Sequence, residues 1–250
     1  MNAIARNLLL LLITFCSFAA LRAQSGSYHY EVGINAGTFL YQGDLVRNKY
    51  GSLKAVGPVL QVWVEKPFSP YLSWRANLTI GTLQADESKF NSPAWKQLRN
   101  FSFRTPVTEI SGVIAYNLYG DNGKEDHHVI TPYLMAGFGG SFLQVTSDWS
   151  RLDTTLFNNK TTTQIGLGID TARRPPTVLP VIPLGAGVRW AVTPRLAATA
   201  EVLFRYTFTD YIDGFSYAAD NRNKDNYYSL SVGLSWVLGS NGIRCPKPAL

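Results

Sequence analysis

The chain has 250 residues, 46% of them hydrophobic and 13% aromatic, with 23 Lys and Arg against 17 Asp and Glu and only two cysteines. No Lys/Arg block marks a nucleic-acid surface, and no segment beyond residue 23 approaches the roughly 18 consecutive apolar residues of a membrane-spanning helix. What remains is an aromatic-rich chain with enough apolar surface for a large core or a lipid-facing belt.

The opening residues read as a secretory signal. Arg6 precedes an apolar run from Leu8 to Ala20, and Leu21-Arg22-Ala23 offers a cleavage site that leaves Gln24 as the new terminus. Phe15-Cys16 lies inside that run and does not form a lipoprotein cleavage box. Removing Arg6 and Arg22 leaves 21 basic against 17 acidic residues, a net charge of +4 over 227 residues. Cys245 is then the one remaining thiol, so no intrachain disulfide staples the secreted chain. We divide the chain into a signal peptide (1–23), a β-barrel (24–238) and a C-terminal tail (239–250).

Eight stretches alternate with a period of two, the mark of a strand with one greasy face. The first, at about 28–41, sets Tyr30, Val32, Ile34, Ala36 and Leu40 against Glu31, Gly33, Asn35 and Gly37. The second, at about 56–66, sets Pro58, Leu60, Val62 and Val64 against Gln61, Trp63 and Glu65. After the turn Pro67-Phe68-Ser69-Pro70, where proline punctuates the ladder, the third (about 71–80) sets Leu72, Trp74, Ala76, Leu78 and Ile80 against Ser73, Arg75, Asn77 and Thr79. The fourth, at about 103–118, places Ile110, Ile114, Tyr116 and Leu118 opposite Glu109, Ser111 and Asn117.

Stretches at about 129–145, 179–191, 195–209 and 227–238 complete the set. In these Leu134, Trp190, Val202 and Trp236 lie on apolar faces, whereas Arg189, Glu201 and Arg205 lie on polar ones. An even number of antiparallel strands closes without an edge, which lipid requires because an unpaired backbone group there meets no water. The predicted fold is all-β: an eight-stranded antiparallel up-and-down transmembrane β-barrel with a filled polar interior. Short connections (67–70, 192–194 and 119–128) alternate with long ones (42–55, 84–101, 146–178 and 210–226). In bacterial barrels the short turns are periplasmic, so the expected location is the cell outer membrane with both termini in the periplasm.

If the apolar faces meet lipid, Glu31, Glu65, Arg75, Glu109, Arg189, Glu201 and Arg205 point into the lumen as one charge cluster that shuts it. No catalytic constellation accompanies them. His29 opens the first strand, and His127 and His128, beside Glu125 and Asp126, sit in a short turn away from any outer-leaflet site. No enzyme activity, metal or cofactor is expected. Tyr41, Tyr206, Tyr211, Tyr227 and Tyr228 fall near strand ends, where an interfacial aromatic girdle is expected.

Particular residues carry a family resemblance. Tyr30-Glu31-Val32-Gly33, then Tyr41-Gln42-Gly43-Asp44-Leu45, Arg99-Asn100-Phe101-Ser102-Phe103-Arg104 with Glu109, Pro132-Tyr133, and Arg205-Tyr206-Thr207-Phe208-Thr209-Asp210-Tyr211-Ile212-Asp213 follow in an order that resembles the PorG family. These are small Bacteroidetes outer-membrane β-barrels associated with the type IX secretion system. The chain departs from the pattern at Gly214-Phe215.

The resemblance implies a non-enzymatic component that docks periplasmic ring proteins of the PorK and PorN kind. The candidate contacts are the tail 239–250, with Cys245, and the turn Tyr119 to His128. The alternative is a general structural or adhesive barrel of the OmpA/OmpX kind. Asp44, Arg99, Arg104, Asp210 and Asp213 lie where strands one, four and seven meet the long loops, and are expected to form a carboxylate–guanidinium network at the rim.

Overall fold

The computed structural model describes residues 29–46, 51–90, 93–122, 128–157, 161–219 and 224–238. The signal peptide, the tail with Cys245, and His127 with Glu125 and Asp126 lie outside them.

Eight long strands form the wall: β1 (Tyr30–Gln42), β2 (Val56–Pro67), β3 (Leu72–Asp86), β4 (Ser102–Asn117), β5 (Ile130–Leu143), β7 (Val178–Ala191), β8 (Leu196–Tyr206) and β9 (Asn226–Leu238). Each pairs antiparallel with its neighbours in the order β3-β2-β1-β9-β8-β7-β5-β4, and a β3–β4 pairing closes the ring. The closing seam between the first and last strands aligns Tyr30 with Leu238 and Gln42 with Asn226. A ninth, short strand, β6 (Thr146–Asp148), extends the sheet by pairing with the start of β4, Ser102 opposite Asp148.

The alternation fixes what each face meets. Outward residues such as Ile34, Leu78, Ile110, Leu134, Val232 and Leu234 are exposed, a continuous apolar surface that only a bilayer would cover at this scale. Aromatic residues ring its turn end: Tyr30, Trp74, Tyr116, Trp190 and Trp236 are all outward and exposed. The barrel is thus a membrane-spanning one. The two tight turns share one chemistry. Phe68 and Ser69 donate backbone N–H to the Leu72 carbonyl, and Val192 and Thr193 do the same to Leu196. In each, a hydroxyl, Ser69 or Thr193, accepts from the leucine N–H, which stops the chain from sliding in register.

At the other end the long loops fold into a lid. A 3₁₀ turn (Glu87–Lys89) leads to α1 (Ala94–Arg99), and α2 (Thr162–Ala172) lies in the loop between β6 and β7. Asn100 closes α1 in the left-handed region at φ 50°, a conformation asparagine adopts at low cost. Thr161 caps α2 by accepting from the Gln164 N–H.

The largest apolar core sits here, not at the barrel's waist. Phe39, Leu83, Phe103, Leu143 and Leu179 from the strands pack with Leu45, Phe90, Phe101, Leu167, Ile212 and Phe215 from the loops. Phe101 and Phe215 stack with ring centroids 4.4 Å apart. Toward the loop end this layer adds an apolar tier to the filled polar interior: Phe39, Leu83 and Phe103 point inward on a wall whose outer face there carries Gln84 and Arg104, and Phe39-Leu40-Tyr41 are all buried.

Candidate functional site

The seven charged lumenal residues all sit on inward strand positions, but in two groups, not one. Nearer the turn end, Arg75 on β3 lies beside Glu65, its register partner on β2, and reaches across the lumen to Glu201 on β8. Its Nε is 2.7 Å from Glu65 Oε2 and its Nη1 2.6 Å from Glu201 Oε1. The guanidinium lies 3.9 Å over the Trp63 ring. Arg189 on β7 joins from the side, with Nη2 at 3.1 Å from Glu31 Oε2 and 3.4 Å from Glu65 Oε1. Neutral donors add to the shell. Tyr133 donates to Glu201 Oε1 at 2.6 Å, and Ser73 to Glu65 Oε1 at 2.6 Å. Gly33 makes room, because a Cβ there would overlap the Trp63 indole.

The second group lies toward the loop end. Arg205 Nε is 3.0 Å from Glu109 Oε2, its Nη1 donates to Ser229 Oγ at 2.6 Å, and Tyr227 donates to Glu109 Oε2 at 3.1 Å. A belt of amides and hydroxyls separates the groups. Gln61 donates to Asn77 at 3.1 Å, and Trp63 Nε1 and Thr199 Oγ1 both donate to Asn35 Oδ1, at 3.2 and 3.1 Å. Burying charge is costly unless each ion is paired and hydrogen-bonded. Here carboxylates and guanidiniums pair across the bore and fill the lumen, while Arg75 Nη2, Arg189 Nε, Glu201 Oε2 and Arg205 Nη2 are buried without a hydrogen-bond partner among the described residues.

The rim differs from the expected carboxylate–guanidinium network. Arg99 makes a two-pronged ion pair with Glu87, its Nε 2.9 Å from Oε2 and its Nη2 on Oε1, and its Nη1 donates to the Ala218 carbonyl at 3.2 Å. Glu87 is nearer in the chain and fully buried, so it captures the fork that the aspartates were expected to hold. Arg104 falls on an exposed outward position of β4, between inward Phe103 and Thr105, because strand parity sends it away from the mouth.

The aspartates gather instead around a tyrosine. Tyr41 Oη lies 2.7 Å from Asp213 Oδ2 and 2.7 Å from Asp225 Oδ1. Asp44 and Asp210 are close enough to act on both carboxyls by charge. Tyr41 and Tyr227 therefore leave the expected girdle for the interior, both fully buried, and Tyr211 turns to Asp170 at 3.1 Å. Tyr206 and Tyr228 remain on outward strand positions.

Sequence reasoning missed Tyr41's inward role and also Glu87, Asp170 and Asp225. The signal for Tyr41 was parity, because it continues the odd-numbered inward face of Glu31, Gly33, Asn35 and Gly37. The carboxylates stand in loops without periodicity, so nothing local distinguished them from solvated residues. Asp170 on α2 accepts backbone N–H bonds from Ser216, Tyr217 and Ala218 at 3.1, 3.1 and 2.9 Å, which ties two loops into one lid.

At the turn end, Asp121 accepts from the His128 backbone at 2.9 Å and from Asn117 Nδ2 at 2.6 Å, and its Oδ2 lies 3.0 Å from His128 Nδ1. Burial alone would raise the Asp121 carboxyl. These hydrogen bonds overcome it and hold the group below the usual carboxylate range. Among the described residues, no group of three or more His, Cys, Asp and Glu is placed to hold a metal ion.

Among solved structures, the chain is similar in fold to three bacterial surface proteins. Neisserial surface protein A (NspA) aligns at 16% identity over 86% of this chain and 98% of that one, with a TM-score of 0.46. A major outer membrane protein from Thermus thermophilus aligns at 13% over 83% and 98%, TM-score 0.44. Ail, the attachment invasion locus protein of Yersinia pestis, aligns at 7% over 84% and 97%, TM-score 0.43. No curated protein matches the sequence. The family described as Domain of unknown function (DUF6089) matches residues 6–242. With nearly the whole length matched, the chain belongs to the DUF6089 family.

Proposed function

We propose that this chain is a non-enzymatic, non-conducting outer-membrane barrel that anchors periplasmic ring proteins of the type IX secretion system, with both termini in the periplasm. One observation carries the reading: the bore is closed twice over, by paired charges at its waist and by an apolar lid at its loop end. A sealed barrel does its work on its outer surfaces. The described ends of the turn after β4, joined by Asp121 and His128, are one candidate contact for these partners, and the tail 239–250 is the other. The resemblance to PorG-like barrels names the partner class.

A second reading is kept for one observation. Leu53, Trp95 and Leu156 stand exposed on the lid, where a structural or adhesive barrel would meet its ligands. The test is affinity purification of the tagged full-length chain from detergent-solubilised outer membrane, combined with deletion of its gene. Co-purifying periplasmic ring proteins and lost export of type IX cargo are expected. A barrel that emerges alone, from cells whose export is undiminished, would overturn the reading and favour the adhesive one.

A further inference from the structure

Tyr41, Asp213 and Asp225 pose a problem in counting protons. The Tyr41 hydroxyl has one hydrogen and stands 2.7 Å from a carboxyl oxygen on either side. It can donate to one of them. The other 2.7 Å oxygen–oxygen approach is a hydrogen bond only if the carboxyl supplies the proton, and without one it is a contact between two lone pairs. The remaining oxygens are already served: Asp213 Oδ1 accepts from the Phe215 N–H at 2.8 Å, and Asp225 Oδ2 from the Ile212 N–H at 3.2 Å. Both aspartates are buried to within 1% of their surface. Gly43 lies against the site, since a Cβ there would overlap Tyr41 Oη and Asp225 Oδ1.

We propose that Tyr41, Asp213 and Asp225 form a proton latch: one of the two carboxyls is protonated at neutral pH, donates to Tyr41, and on losing that proton releases segment 207–219 from the barrel mouth. This goes beyond the anchoring role and is independent of it.

The surroundings agree with the geometry. Asp44, from the loop after β1, and Asp210, from the same segment as Asp213, add negative charge. The cation given by α1, Lys96, is engaged by the Asp44 carbonyl at 2.7 Å and lies 3.8 Å from Glu87 Oε1. Arg99, on the same helix, is held by Glu87, and β4 contributes Phe103 against the Tyr41 ring and the Thr105 hydroxyl, which donates to the Ile212 carbonyl. From α2, Asp170 is committed to Tyr211 and the 216–218 turn.

Burial first, and then the neighbouring carboxylates, hold Asp213 and Asp225 well above the ordinary carboxylate range. A group whose folded pKa is raised stabilises the fold fully below its unfolded value, about 3.9 for aspartate, and loses that contribution as pH rises through the folded value. The latch therefore weakens on the alkaline side.

The experiment uses the refolded full-length protein in detergent micelles. Infrared spectra of the wild type at neutral pH should show a carboxylic-acid carbonyl band that is missing in D213N/D225N. Proteolysis of the loops should accelerate by about tenfold or more between about pH 6 and about pH 9 in the wild type. In D225N, whose amide donates to Tyr41 at every pH, it should stay flat. Absence of the band in the wild type, or pH-independent loop protection, overturns the proposal. So does restoration of alkaline protection by calcium chloride, which would make the cluster a cation site. If neither Asn variant folds, the wild-type spectrum across pH decides.

Discussion

Removing the Arg75 guanidinium leaves Glu201 with the Tyr133 hydroxyl and no cation, and Glu65 with Arg189 and Ser73, in a space from which solvent is excluded. Breaking a buried pair in this way costs about 3–5 kcal/mol, whereas replacing all its members with neutral groups costs far less. We therefore expect Arg75→Met to lower the unfolding free energy in micelles by about that amount, and E65Q/R75M/E201Q to recover most of it, as read from urea titrations of the folded, faster-migrating form. A loss under about 1 kcal/mol in the single variant would show that the pair carries little.

The inward position of Arg75 was legible from parity alone, with Trp74 and Ala76 on either side. Its partner across the bore was not. Glu201 is 126 residues away, and no local pattern sets the strand tilt from which to deduce which level of β8 it shares.

Elements taken whole were legible in proportion to their periodicity. Strand positions emerged because one face had to be apolar, and their ends agree with the structure closely except at β3, which runs on to Asp86, and at β8, which stops at Tyr206 rather than 209. The loop helices left no such trace. Thr162–Ala172 contains two glycines and little apolar spacing, so its helix rests on tertiary contacts more than on propensity.

Asp170 supplies those contacts by accepting three consecutive backbone N–H groups. Leaving the buried Ser216 and Ala218 donors unsatisfied would cost about 1–3 kcal/mol each. Asp170→Ala should accordingly expose the loops at 161–178 and 207–219 to limited proteolysis while the barrel keeps its heat-modifiable migration. Gly166→Ala should do the same by another route, because its Cβ would overlap the Tyr217 carbonyl. Unchanged cleavage in both would show that α2 is held elsewhere.

For the molecule as a whole, closure in tiers means that opening one tier should open nothing. Substituting E109A/R205A removes the upper ion pair and leaves beneath it the Arg75 group and above it the Phe101–Phe215 layer. In planar bilayers we expect neither the wild type nor this variant to pass porin-scale current; stepwise conductance from either would contradict a sealed bore. The barrel class was readable from the alternating strands, their even count and the lack of any long apolar segment beyond residue 23 in the sequence. The lid was not, since it is assembled from loop residues scattered from Leu45 to Ala218 that share no pattern along the chain.

The seam between β1 and β9 also governs how such a barrel comes into being. Seven of the eight wall pairings join successive long strands, contacts that a growing chain reaches early. The eighth brings Tyr30 to Leu238, and closing a loop of that length costs about 3 kcal/mol more in chain entropy than closing a ten-residue hairpin. Until the last strand arrives, β1 is an open edge with unpaired amides. The committed step of assembly is therefore the meeting of the first and last strands, and a chain lacking β9 presents two open edges, β1 and β8, at once.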